Sequence, residues 1–158
     1  MEIVDLLVPE AVLPTLKVQG KKQLLQELAE QAASFTGIPE RRVFETLNER
    51  ERLGSTGMGQ GIAIPHGRIS GLSRITGVFA RLETPVAYDA VDNQPVDLVF
   101  LLLAPDGSGA DHLKALARVS RLLRNQVTCE KLRATSKSEV LYALLTEPTN
   151  GGASSQAA

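Results

Sequence analysis

Residues 96–104 read Val-Asp-Leu-Val-Phe-Leu-Leu-Leu-Ala, with Asp97 the one charge in the run. A strand with one wet face alternates apolar and polar residues. A near-continuous apolar stretch instead marks a strand buried on both faces. On its C-terminal side the loop Pro105-Asp106-Gly107-Ser108-Gly109 leads into a helix whose His112, Leu116, Val119 and Leu123 share one face. Ser108 and Asp111 have the spacing of a capping box. A short helix is expected over residues 127–133. Ser136 and Glu139 form a second capping-box pattern before a last helix, with Val140, Leu141, Leu144 and Leu145 inward. On the N-terminal side the turn Asp92-Asn93-Gln94-Pro95 precedes the buried run, and residues 75–82 and 85–88 read as two further strands. Earlier still, Leu24, Leu25, Leu28 and Ala32 recur at helical spacing until Gly37-Ile38-Pro39 stops them. Pro39 opens a second helix with Val43, Phe44 and Leu47 on its inner face, and Gly54 ends it. Helices on both sides of a buried central strand predict an α/β fold: one domain over residues 1–148, with a mixed parallel and antiparallel sheet. The Gly/Ser/Ala-rich residues 149–158 are expected to form a disordered tail.

The chain has 158 residues, 43% of them hydrophobic and 22% charged, which is the composition of a globular domain with one substantial core. A formal net charge of -1 gives no electrostatic footprint for nucleic acid or an anionic membrane. No apolar run approaches transmembrane length, and the opening Met1-Glu2-Ile3-Val4-Asp5 lacks the basic region of a signal peptide. Cys129 is the single cysteine, so no internal disulfide or thiolate metal site is expected; it reads as a small apolar side chain on a helix. These features fit a reducing cytoplasm.

Between Gly54 and Gly71 the chain changes character. Residues 54–61, Gly-Ser-Thr-Gly-Met-Gly-Gln-Gly, hold four glycines in eight positions. They are not a dinucleotide fingerprint, because the third glycine position falls on Ile62 or Ile64, and they are not a P-loop, because Gln60 follows Gly59. Two readings stay open: an anion nest of backbone N–H groups, or a tight turn that needs positive φ. The segment is expected to run as a loop, a very short strand at residues 62–64, and a sharp turn at Pro65-His66-Gly67-Arg68. A neutral imidazole on such a turn is a good nucleophile near neutral pH, and the alternative is an ordinary surface histidine. His112, the second of two histidines, falls in the first turn of a helix and on its apolar face. Both the helix dipole and burial would keep it neutral, suited to orient a nucleophile or bond a phosphate, or simply to fill the core. Arg50 projects from the same side as Val43 and Leu47, as a helix-end cap or an anion clamp. Arg68 is a second cation or a solvated side chain. No metal-ligand spacing links the histidines, and Gly-x-Ser-x-Gly is absent.

Taken together, residues 48–70, NERERLGSTGMGQGIAIPHGRIS, resemble the signature of type 2 (fructose/mannitol-like) enzyme IIA domains of the bacterial phosphotransferase system. The matching features are Arg50-Glu51, the glycines from Gly57 to Gly61, and the Ala63-to-Gly67 turn. Residues 82–100 continue the likeness, and His112 in Asp-His-Leu-Lys-Ala-Leu matches the family's second active-site histidine. The resemblance spans nearly the whole chain apart from the tail and is greatest to the nitrogen-related branch. It implies the type 2 enzyme IIA fold, with His66 accepting a phosphoryl group at Nε2 from an HPr-like phosphocarrier. It further implies that Arg50 offsets phosphoryl charge and that His112 orients the ring or the phosphate. Ser55, Gly59, Gly61 and Arg68 are the expected phosphate-binding groups, with no cofactor and no metal required. The implied partners are regulated proteins such as potassium-transport or sensor components. A sugar-specific enzyme IIA serving an enzyme IIB, and a phosphate-independent binding module, are the alternatives. The family usually has Asn where this chain has Gln60, and retuned loop contacts are expected there.

Overall fold

The computed structural model describes residues 1–147. Two 3-10 turns, Ile3–Asp5 and Pro9–Ala11, open the chain, followed by β1 (Val12–Leu16), α1 (Lys21–Thr36) and α2 (Glu40–Arg52). Four strands come next: β2 (Gly57–Gly59), β3 (Ile62–Ala63), β4 (His66–Ile69) and β5 (Thr76–Val86). Strand β6 (Val96–Pro105) leads into α3 (Gly109–Arg124), α4 (Gln126–Arg133) and α5 (Ser138–Leu145).

β6 is the axis of the molecule. Every residue from Leu98 to Ala104 is buried, as the apolar run requires. It pairs antiparallel with β5 on one edge and parallel with β3 and β4 on the other. β1 extends the sheet beyond β5 in parallel, and β2 closes it antiparallel to β3, so the six-stranded sheet is mixed. The α1–α2 pair packs against β5 and β4; α3, α4 and α5 form a second group against β6 and β1. Two helix groups thus give β6 the cover on both faces that its composition demands.

Helix α1 buries Leu24, Leu25, Leu28, Ala29 and Ala32 and stops at Gly37, whose φ of 75° takes the left-handed cap that favours glycine. Several local expectations need correction. Residues 75–82 and 85–88 are not two strands: β5 runs through to Val86, with its register against β6 broken between Arg81 and Val86. Pro85, which has no N–H for the ladder, lies in that break. Neither capping box forms. The Ser108 hydroxyl donates to the Pro105 carbonyl at 2.6 Å, and the N-cap of α5 is Lys137, whose N–H is taken by the Thr135 hydroxyl. Val140 is 39% exposed, because α5 turns Leu141 and Leu145, one helical turn apart, to the core. Residues 149–158 lie outside the described residues.

Candidate active site

Ile62, Ala63, Ile64 and Pro65 are all buried, and the Pro65 carbonyl accepts from the Leu102 N–H. The chain is therefore already locked to β6 when it reaches His66. That residue is not on a free turn, as the Pro-His-Gly sequence suggests; it is the first residue of β4, in register with Leu102. Its Nδ1 lies 2.8 Å from the Ile64 carbonyl oxygen. A carbonyl can only accept, so Nδ1 carries the proton and Nε2 keeps its lone pair. Burial lowers the His66 pKa; the Ile64 bond opposes that, the Arg50 charge adds to it, and Glu51 opposes it again. The ring is neutral and nucleophilic at pH 7.

His112 arrives from the opposite direction, in the first turn of α3 and only 5% exposed. The two rings stand edge to face, 5.7 Å between centroids at 71°. Arg68 Nε donates to His112 Nδ1 at 3.4 Å, while His112 Nε2 is buried with no partner. Burial, then the neighbouring His66 and Arg68, lower the His112 pKa. The direction agrees with the expectation from its place on the helix.

Arg50 is brought in by α2. A Cβ on Gly67 would sit 2.6 Å from Thr46 Cγ2, so glycine at this position lets β4 run directly against the helix. Thr46 and Arg50 are one helical turn apart and share a face. The Arg50 guanidinium, half-buried, donates to the Gly54 carbonyl at 2.9 Å and is close enough to His66 to depress its basicity. Gly67 thus matters for the approach of α2 and not only for exposing the imidazole.

Residues 5–147 match the family described as "Phosphoenolpyruvate-dependent sugar phosphotransferase system, EIIA 2". The chain belongs to this type 2 enzyme IIA family. The "Nitrogen regulatory protein" of Bradyrhizobium diazoefficiens is 58% identical over 148 residues, spanning 94% of this chain and 97% of the relative. Among solved structures, "Nitrogen Regulatory Protein IIA-Ntr" from Neisseria meningitidis superposes with a TM-score of 0.87 at 38% identity, covering 91% of this chain and 99% of that one. The Escherichia coli "IIA mannitol" structure shares the fold at a TM-score of 0.74 and 20% identity, covering 87% of this chain and 97% of its own. Among the described residues no helix is long and apolar enough to cross a membrane.

Beside the two imidazoles this enzyme IIA chain carries a buried carboxylate that sequence reading noted only as half of an Arg-Glu pair. The Glu51 side chain is 5% exposed and pairs with Lys21 Nζ at 2.9 Å. It also accepts from the Thr56 N–H at 3.0 Å, from the Thr56 hydroxyl, and from the Tyr88 hydroxyl at 3.3 Å. Lys21 Nζ lies 4.5 Å above the Tyr88 ring, and burial followed by the Glu51 charge pushes the phenol far above its ordinary pKa. The signal was available: Glu51 falls four residues past Leu47 and seven past Phe44, a carboxylate on an inward face that must find partners.

The remaining candidates are engaged in other contacts. The Ser55 hydroxyl donates to the Tyr88 carbonyl at 3.0 Å and accepts from the Gly57 N–H, so its own hydrogen is committed. Gly59 and Gly61 flank Gln60 in the β2–β3 hairpin, all three with positive φ (95°, 83° and 58°). The Gly61 carbonyl accepts from the Asp97 and Leu98 N–H groups. Leu98 is four residues along β6 from the Leu102 that faces His66, about 13 Å at strand rise. Asp92 takes the Gln60 N–H at 2.9 Å, and Arg133 bonds the Gln60 carbonyl at 2.9 Å. The hairpin tip is therefore a turn clamped between other groups, remote from the imidazoles.

Proposed function

We propose that this protein is a phosphohistidine relay of the nitrogen-related phosphotransferase branch. In this reading His66 accepts a phosphoryl group from an HPr-like phosphocarrier, and the protein binds its targets according to phosphorylation state. The observation that carries the proposal is the His66 ring itself: Nδ1 is committed to the Ile64 carbonyl. That leaves the Nε2 lone pair for phosphorus.

The chemistry balances without a dedicated base. The donor ring enters phosphorylated on one nitrogen and protonated on the other. The His66 Nε2 lone pair attacks phosphorus, the donor P–N bond breaks, and its electron pair returns to the departing, now neutral, imidazole. Phosphorylated His66 is then an imidazolium whose Nδ1–H still points at the Ile64 carbonyl, which stabilises the new positive charge. Arg50 offsets charge on the phosphoryl oxygens, and His112, its ring 5.7 Å from that of His66 and its Nε2 without a partner, is the donor assigned to the arriving group.

Similarity to nitrogen regulatory proteins supports a regulatory output over sugar transport. On this reading the protein acts in the cytoplasm on targets such as potassium-transport or sensor components. Phosphorylation adds nearly two negative charges at about neutral pH, enough to reject a partner that buries the site. The test is incubation with phosphoenolpyruvate, enzyme I and an HPr-like carrier, read by intact mass. One acid-labile phosphoryl adduct is expected, absent from His66→Ala. No adduct with several competent carriers overturns the reading.

A further inference from the structure

Arg68 is two residues past His66 on β4, so both side chains leave the same face of the strand. Its guanidinium runs along the start of α3: Nη2 lies 3.6 Å from where a Cβ on Gly109 would stand. A cation at a helix N-terminus is at the wrong end of the macrodipole, so the dipole does not hold it there. What it meets instead is His112 Nδ1, to which Arg68 Nε donates at 3.4 Å.

We infer that Arg68 acts through His112, fixing the tautomer in which His112 carries its proton on Nε2, and is a positioning residue and not a phosphate ligand. The inference rests on the reading of His66 as the phosphoryl acceptor. A guanidinium has donors only, so the ring nitrogen that faces it must present a lone pair. In a neutral imidazole the one proton then sits on Nε2. That nitrogen is buried and has no partner in the resting protein. A buried N–H without an acceptor is costly to hold.

The arrangement becomes intelligible beside His66, whose proton the Ile64 carbonyl holds on Nδ1. The two rings are fixed in opposite tautomers, so the site offers one lone pair and one N–H. Phosphoryl oxygens only accept. With the reverse tautomer, His112 would present a second lone pair to those oxygens and repel them. Arg68 therefore decides whether His112 helps or hinders. Its bond, long in the resting state, shortens as the site fills, as catalytic contacts do.

The experiment uses the full chain and two readouts. The first is ¹⁵N NMR of the imidazoles in unphosphorylated protein, which needs no phosphoryl donor. The expected wild-type spectrum has a pyridine-type Nδ1 and a pyrrole-type Nε2 on His112. In Arg68→Met that signature averages or reverses, and Arg68→Lys, which keeps a donor, restores it. The second readout is the initial rate of His66 phosphorylation with phosphoramidate, a small donor that needs no docking surface. Arg68→Met is expected to slow it about tenfold, the usual scale for a partner that orients a reacting imidazole. In a His112→Asn background the same substitution should change nothing further. An unchanged His112 tautomer in Arg68→Met overturns the inference, and so does an equal loss of rate in the His112→Asn background. Absence of any adduct in the wild type overturns the relay reading instead, and the NMR result still decides the role of Arg68.

Discussion

At the Leu98 end of β6 lies the β2–β3 hairpin; at the Leu102 end lie His66 and His112. Both ends were marked by glycine in the sequence, at Gly59 and Gly61 in one case and at Gly67 in the other. At the hairpin end the hydrogen bonding closes on itself. Asp92 holds the Gln60 N–H, Arg133 holds the Gln60 carbonyl, and Arg133 grips Asp97 through Nε and Nη2. At the histidine end one ring keeps a lone pair and the other keeps a buried nitrogen without a partner. Arg81 and Arg118 also hide an unpartnered Nε, so an orphaned nitrogen alone does not mark a site. The one on His112 stands beside the neutral His66 ring, and that pairing is what supports the proposed site. Glycine density reports backbone geometry; chemistry resides where geometry leaves polar groups unspent.

The widest separation between the two ends should appear in a pair of arginine truncations. Arg50→Ala removes the cation whose charge reaches His66 and, on the proposed reading, is expected to slow phosphorylation about 100-fold, the scale of losing one preorganised electrostatic contact. Arg133→Ala, at the other end, leaves Asp97 and the Gln60 carbonyl without their shared donor. It should cost about 1–2 kcal/mol of stability and leave the rate per folded molecule unchanged. Quenched-flow phosphorylation beside urea unfolding of both variants measures this. A slow but stable Arg133→Ala, or a fast Arg50→Ala, would erase the distinction.

Acid should then discriminate between the ends through titration. Both histidines have pKa values lowered from 6.5 in the folded state, chiefly by burial. A ring with the ordinary value would be only about one-tenth neutral at pH 5.5. The phosphorylation rate is therefore expected to hold between pH 7.5 and 6.5 and to fall less than tenfold by pH 5.5. Stability also declines toward acid, through proton uptake by the unfolded chain. The unfolded chain takes up protons near 6.5 that the folded rings refuse, so this contribution is full above that value. It is lost as the pH falls through the lowered folded pKa values. Thermal unfolding from pH 7.5 to 5.5 should show the decline, with a shallower slope in His66→Ala; equal slopes would refute the assignment.

The buried strand, the flanking helices and the trio Arg50, His66 and His112 were legible because each rests on a local signal: an apolar run, a helical period, a motif. β1 was not. It is five residues long, Pro14 interrupts its donors, and its pairing with β5 breaks register between Leu13 and Leu16. Glu51 was half legible, since an inward carboxylate shows in the helical period, but Lys21, Thr56 and Tyr88 come from three separate segments. The tautomer of His66 depends on one carbonyl, and that of His112 on a strand residue 44 positions earlier. No period in the sequence encodes such contacts.

The smallest expected effect concerns Gln60. Strands β2 and β3 are joined by Gln60 and Gly61, with φ of 58° and 83°. Positive φ at both central residues is the mark of the hairpin turn that favours Asn-Gly, because the Asn side chain tolerates the left-handed region and longer side chains tolerate it less. The Asn expected here from the family resemblance thus has a backbone reason, and the consequence of Gln60 is strain in the turn more than altered loop contacts. Both hydrogen bonds recorded at this residue use its main chain, the N–H to Asp92 and the carbonyl to Arg133, so a shorter side chain keeps them. Gln60→Asn should therefore stabilise the protein by about 0.5–1 kcal/mol, at the low end of the cost of a left-handed residue. Urea unfolding would register it as a higher midpoint at constant slope. The phosphorylation rate should not move, because the turn lies about 13 Å along β6 from the acceptor. A faster rate without added stability would mean that the hairpin communicates with His66, and the two ends of β6 would have to be treated as one site.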